Sequence, residues 1–379
     1  MALALTEEQR MLRDSARELM TNKAPVTALR KLRDDNDPDG FSRELWRELA
    51  ELGWCGMALP ESYGGSAFGF QGIGIAFEEA GRTLASTPMM STVLLGASLI
   101  EQLGSEATKA SLLPAIVAGE HITALALEEQ PRHNPLLIRT RAERDADRFI
   151  LNGSKILVLD GHVADSLLIV ARSRGADDDA DGLSVFCVPA DTTGITVTRT
   201  QMVDSRNAAN IALDNVRVSA EMLLGAESGA AFALDVTLDR ARVALAAEML
   251  GSAEEAFDRT LAYLKMREQF GVLIGTFQGL KHRAAIMFCE LELLRSAVYA
   301  ALGAIEANDP QSPVLASLAK SQACKTFELV SAEAVQMHGG IGMTDEEEIG
   351  FFLKRARVAM QTFGDASYHR DRYARLSGY

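Results

Sequence analysis

The spacing of apolar residues in this 379-residue chain changes twice, and this limits the folds open to it. Up to about residue 120 the spacing is helical. Thr6-Glu-Glu-Gln9 reads as a capping box, in which a hydroxyl and a side-chain amide each satisfy an orphan amide of the first turn. Leu12, Ala16 and Leu19 then recur at helical steps. Residues 34–40 are polar, contain Pro38 and read as a loop. Ser42 can cap a helix carrying Leu45, Leu49 and Leu52, with Gly53 as its stop. Pro60-Glu-Ser-Tyr-Gly64-Gly65 is a turn-rich crossing. Helices are expected over 70–82, 94–103 and 109–118, the last two stopped by Gly104 and Gly119.

From about 121 to 229 the chain turns β-rich. Residues 148–151 lead into Asn152-Gly153, a strong hairpin signal. Residues 156–159, 166–171, 183–188, 195–199 and 210–218 are further strand candidates, together an antiparallel barrel or sandwich. The acidic run 177–182 lacks the alternating ligand order of a calcium loop, so no metal site is expected. Helical spacing returns from about 230. A long Ala- and Leu-rich helix covers 234–257 and can continue to 267. Residues 278–306 and 314–338 belong to a helical bundle, with Lys320 and Lys325 on the polar face of the second. Asn308-Asp-Pro-Gln-Ser-Pro313 separates these two helices, and Gly339-Gly340 stops the second. Asp345-Glu-Glu-Glu348 opens the last helix, since acids suit a positive helix start. The class is α+β, with a helical domain over 1–120, a β domain over 121–229 and a helical bundle over 230–379.

Composition narrows the function. A net charge of -14 argues against non-specific nucleic-acid binding, which needs Lys and Arg to displace counterions. Local fields can still favour an anionic ligand. Cys55, Cys187, Cys289 and Cys324 have no metal-site spacing and lie beside apolar residues, as buried free thiols in a reducing cytoplasm do. The first residues lack a basic segment followed by an apolar run, and no apolar run is long enough to span a membrane. A cytoplasmic protein is expected.

Two segments carry the chemistry. One is Arg267-Glu-Gln-Phe270-Gly271, followed by Phe277-Gln278 and His282. The other is Gln336-Met-His338-Gly339-Gly340-Ile-Gly342. A forked, permanently charged guanidinium suits phosphate oxygens, and glycines permit close backbone approach to an anion. With Leu45-Trp46, Leu52-Gly53-Trp54, residues 60–65, Glu78-Glu79-Ala80-Gly81-Arg82, Asn152-Gly153-Ser-Lys155, Gly161, Ala164-Asp165 and Asp214-Asn-Val216-Arg-Val218, they stand in an order that resembles the acyl-CoA dehydrogenases over nearly the whole chain.

That resemblance implies an N-terminal helical domain, a middle β-barrel and a C-terminal four-helix bundle, with FAD as cofactor. It implies an oxidoreductase of lipid metabolism that removes two hydrogens from adjacent carbons of an acyl-CoA and passes electrons to electron-transfer flavoprotein or a similar acceptor. Arg267 would meet the cofactor pyrophosphate, Phe270 would pack on the cofactor, and Gln278 would bond its adenosine part or nearby backbone. Gln336, Gly339 and Gly340 would form the second contact. His338 and His282 read as packing residues. Arg242 matches an arginine near the catalytic centre.

The family's base is a glutamate at one of two places. Counting from Arg355-Ala-Arg357 puts Phe363 at the first, in Thr362-Phe363-Gly364-Asp365; Ala241 stands at the second. Glu248 and Asp365 are the acids left nearby. Glu248 follows Arg242 by about 600° of helix, which brings it toward the same side; Asp365 lies in a glycine-containing turn. Each also has a bland reading, an ion pair for Glu248 and a cap for Asp365. The strand positions that flank the flavin in the family read Leu157 and Leu159, and a Thr-Glu-Pro turn is replaced by Glu128-Glu-Gln-Pro131-Arg-His-Asn. This pattern is similar to a divergent branch acting on steroid-derived CoA thioesters, in which two homologous chains form an α2β2 assembly. A homotetramer, an α2β2 heterotetramer containing this chain as a base-lacking subunit, and a flavin monooxygenase or acyl-CoA oxidase on the same fold all stay open.

Overall fold

The computed structural model describes residues 5–379; the first four residues of the chain start discussed above lie outside the described residues. Four helices come first: α1 (Glu7–Lys23), α2 (Val26–Asp34), α3 (Arg43–Glu51) and α4 (Phe70–Arg82). A wide π-helical stretch, Met89–Ala97, runs into α5 (Ser98–Leu103), and α6 (Glu106–Val117) follows. Eight strands come next: β1 (Thr123–Ala126), β2 (Arg141–Asp145), β3 (Arg148–Leu159), β4 (Ser166–Arg172), β5 (Leu183–Pro189), β6 (Ile195–Gln201), β7 (Asn207–Ser219) and β8 (Leu223–Leu224). Then come α7 (Ala231–Met266), a small hairpin of β9 (Glu268–Gln269) and β10 (Val272–Leu273), α8 (Gln278–Glu306), α9 (Ser312–His338), α10 (Ile349–Gln361) and α11 (Ala366–Leu376). The expected order of helices, sheet and helices holds. No helix among the described residues is long and apolar enough to cross a membrane.

The chain divides into two compact units. One comprises Leu32–Gly69 and Ser86–Ala241; the other comprises the described residues up to Lys31, Phe70–Ala85 and Arg242–Tyr379. Helix α7 starts in the first and continues in the second.

The first unit holds one sheet in the order β6-β7-β3-β2-β4-β5-β8, with β1 parallel to β4. It is open rather than the closed barrel expected, because β6 and β8 end the path without pairing with each other. Phe149, Leu151, Leu167, Ile169, Phe186, Val188, Ile211 and Val216 share its core. The Phe149 and Phe186 rings meet edge to face at 5.0 Å, and each such buried side chain stabilises the fold by about 1.5–3 kcal/mol.

Asn152-Gly153 does not turn the chain. It lies inside β3 at a bulge, where the register with β7 shifts between Leu151 and Gly153. Asn152 replaces a ladder bond by accepting the Asn215 amide at 2.8 Å. A Cβ at Gly153 would sit 2.5 Å from Thr140 Oγ1, so glycine serves close packing there. The hairpin turn falls instead between β2 and β3, with Ala146 at φ 54°.

In the second unit Thr6 and Gln9 form the expected capping box on α1. Helices α4 and α7 cross at backbone contact: a Cβ on Gly251 would lie 1.8 Å from the Glu78 carbonyl oxygen, and one on Gly81 2.1 Å from that of Glu248. Helix α9 runs through the middle, packed by α8, α10 and α11. Asp345–Glu348 precede α10, which is not the last helix; Asp365 caps α11 after it. Lys320 is wholly buried, not on the polar face of α9, whereas Lys325 is exposed and pairs with Glu290. Cys55 and Cys324 are buried, but Cys289 is exposed, unlike the expectation.

Candidate functional site

The two signature segments meet at one end of the helical unit. The Tyr263 ring near the end of α7 stacks on His338 at the end of α9, with centroids 4.4 Å apart. His338 is buried, and its Nδ1–H donates to the Ala334 carbonyl at 2.7 Å, so it serves packing. The Arg267 amide bonds back to Tyr263 O at 2.8 Å, which carries the chain off the helix. The hairpin turn then places Phe270 and Gly271 at φ 55° and 78°, the double left-handed geometry of a two-residue turn with the strand twist. Glycine accepts that conformation at no steric cost, whereas phenylalanine is strained by it. The Phe270 ring is nevertheless 91% exposed and meets the Phe277 ring edge to face, with centroids 6.2 Å apart.

Arg267, Gln278, Gln336, Gly339 and Gly340 are also exposed. Arg267 meets no carboxylate among the described residues. Nothing lies within 4 Å of where a Cβ on Gly339 or Gly340 would stand. This end therefore presents a guanidinium, two side-chain amides, an aromatic face and open glycine backbone together. That donor set fits a large, anionic, partly aromatic cofactor.

A second group of residues lies about the turn between α10 and α11. Phe363, at the matched base position, is half-buried with φ 58°, and Gly364 follows at φ 105°. The Phe363 carbonyl accepts from His369 Nε2 at 3.0 Å and from Arg242 Nε at 3.4 Å. Arg242, 0% exposed, also donates to the Tyr368 hydroxyl at 3.2 Å. Lys320 Nζ donates to the carbonyls of Ala359 and Gly364, both at 3.0 Å, and to that of Met360 at 3.4 Å. Burial pushes the Lys320 ammonium below the usual lysine range. Asp365 accepts the Tyr368 amide at 2.7 Å as the α11 cap. Ala241 is buried in α7.

Glu248 lies on α7 with its carboxylate 3.0 Å from Arg355 Nη1; both side chains are buried. The structure thus joins Arg242 and Asp365 to the same turn and ties Glu248 to α10. Sequence reasoning missed Lys320 and Tyr368 at this turn. Lys320 could have been found: Ala316, Ala323 and Phe327 lie four before, three after and seven after it, on the buried stripe of α9.

In the sheet unit Leu157 sits at a second bulge of β3 with φ 52°, its side chain exposed, and Leu159 is half-buried. Lys155 is buried and bonded to Glu129 Oε1 at 2.6 Å. Burial draws its ammonium down to about 8 against that pull. Glu129 also accepts the Thr140 amide at 3.0 Å, so the segment replacing Thr-Glu-Pro closes on the sheet through this ion pair.

The Glu78-Glu79-Ala80-Gly81-Arg82 motif serves a buried charge network. Glu78 and Glu79 on α4 and Glu254 on α7 face Arg82 of α4, Arg17 of α1, and Arg295 and Tyr299 of α8. Burial first, then the Glu254 and Glu79 charges, raise Glu78 from 4.5 to about 8. The folded state thus favours protonated Glu78. Its contribution is full below about pH 4.5 and is lost as the pH rises toward about 8, at no more than about 1.4 kcal/mol per pH unit for one proton. Glu78→Gln, which cannot ionise, is expected to flatten the fall in melting temperature over that window. An equally steep fall in the variant would sink this account.

Family models cover almost the whole chain: the N-terminal domain of acyl-CoA dehydrogenases over residues 6–120, their middle domain over 124–216 and their C-terminal domain over 227–377. The chain belongs to the acyl-CoA dehydrogenase family. It is similar to the probable acyl-CoA dehydrogenase YngJ of Bacillus subtilis, 30% identical over 365 residues and 94% of each chain. Among solved structures, it superposes on a variant of the Tcur3481–Tcur3483 steroid ACAD with a TM-score of 0.87 at 33% identity over 98% of both chains. The ChsE4–ChsE5 complex of Mycobacterium tuberculosis matches with a TM-score of 0.89 at 26% identity over 100% of both. The chain is therefore an oxidoreductase of this family, whose membership implies a flavin cofactor and an acyl-CoA substrate.

Proposed function

We propose that this chain takes part in FAD-dependent α,β-dehydrogenation of an acyl-CoA thioester, with a bulky or steroid-derived acyl group as the substrate class. The carrying observation is the exposed end formed by Arg267, Phe270, Gln278, Gln336, Gly339 and Gly340, held together by the Tyr263–His338 stack. Arg267 would hold the pyrophosphate, and Phe270 would pack on the cofactor through the turn that strains its backbone. Gln278 and Gln336 would donate to polar cofactor atoms, and Gly339-Gly340 would let it approach the backbone. Bound FAD supplies the hydride acceptor of the reaction. Electrons would leave to electron-transfer flavoprotein or a similar acceptor.

A second reading is favoured by the buried Ala241 and by the partners of the two remaining acids. In it this chain holds flavin within an α2β2 assembly and a homologous chain supplies the base; the steroid ACAD and the ChsE4–ChsE5 complex among its structural relatives support it. Purified alone and titrated anaerobically with acyl-CoAs, a self-sufficient enzyme binds flavin that bleaches. Flavin that binds but bleaches only once a homologous partner is added establishes the two-chain form, and failure to retain flavin in either state defeats both. Arg267→Ala is expected to weaken flavin binding about 10–100-fold, the worth of a lost charge-assisted bond, measured by flavin release on dilution.

A further inference from the structure

The turn between α10 and α11 is held far more tightly than the end of a helix requires. Asp365 already caps α11, yet side chains from three other places reach its carbonyls: Lys320 from α9, Arg242 from α7 and His369 from α11. Ala359 and Met360 lie in the last turn of α10, whose carbonyls have no partners within the helix and carry its negative end. Gly364 lies across Phe363 from them. One buried ammonium thus ties the end of α10 to the residue after Phe363, and that ammonium is costly to bury unless its protons are met.

Phe363 itself keeps a left-handed backbone that an aromatic residue seldom adopts. Strain of this kind persists only where the surroundings over-determine it, and it gathers at functional positions. Here the over-determination is intact although residue 363 carries no acid.

We propose that Lys320 is a positioning residue, whose ammonium locks the 359–364 turn so that the side chain at 363 is presented in one orientation.

Hydrogen exchange on the full chain tests the clamp. Lys320→Met is expected to speed exchange of the 362–369 amides about tenfold or more, with the rest of α9 still protected, and Lys320→Arg to restore protection. Exchange unchanged at the turn, or raised evenly through the bundle, overturns it. If Lys320→Met does not fold, Gly364→Ala tests the same turn from its other side. An added Cβ there would meet Tyr368 Cδ1 at 2.5 Å and His369 Nε2 at 2.9 Å. It is expected to loosen the same amides, and unchanged exchange in a folded Gly364→Ala protein overturns the clamp.

Discussion

Replacing Glu248 with Leu is expected to lower the unfolding free energy by about 3–5 kcal/mol, read as a shift in denaturant midpoint. Removing one partner of a buried pair leaves the other charge uncompensated in a poor solvent for ions. Arg355 would keep its guanidinium buried beside α7 without that carboxylate, with the Leu84 carbonyl 3.4 Å from Nη2. Replacing both residues with Leu and Met should recover much of the loss, because two apolar side chains of similar volume need no partner. The same site discriminates between roles for Glu248. A base that is not structural would give a Glu248→Gln protein of unchanged midpoint with flavin reduction abolished; an ion-pair residue would give a lower midpoint first. A Glu248→Leu midpoint equal to wild type would defeat the ion-pair account.

The second large effect is a gain. Phe363→Glu is expected to raise acyl-CoA-dependent flavin reduction by the chain alone about 10²–10⁴-fold, the range a positioned general base contributes. The expectation rests on the turn, which already holds residue 363 through the Phe363 and Gly364 carbonyls, and on Arg242 beside it. A carboxylate there would have a cation close by to favour its charged form, and its backbone would need no rearrangement. Stopped-flow reduction under anaerobic conditions measures it. A folded, flavin-loaded Phe363→Glu protein no faster than wild type would sink the idea that only the side chain is missing.

Much of this was legible in the residues. The capping box at Thr6, the helix cap at Ser42 and the long helices at 231–266 and 312–338 follow from local rules of hydrogen bonding and period. The two signature segments were legible as residue types at particular spacings, and the fold brings them to one end of the helical unit. Local rules failed where a neighbour supplied what the turn residues would otherwise have done. Asn152-Gly153 stayed in a strand because β7 pairs through it, with the Asn152 side chain completing a broken ladder. Likewise charge by itself puts Lys320 on a polar face, yet carbonyls at the end of α10 and in the turn after it make a buried place for an ammonium.

Covalent order alone thus decided the family, the succession of helices, sheet and helices, and the residues, Ala241 and Phe363, at the two positions that the resemblance matches to the family's base. These depend on residue type and local spacing, which the chain carries without folding. Only the folded arrangement decided that the sheet stays open, that Glu248 faces Arg355, that Asp365 acts as a cap, and that the turn at Phe363 is clamped by side chains from α7, α9 and α11. Most of these are contacts between residues far apart in the chain. Their energy depends on which partner burial brings within about 3 Å, and hydrogen bonds and ion pairs gain their strength from that exclusion of water.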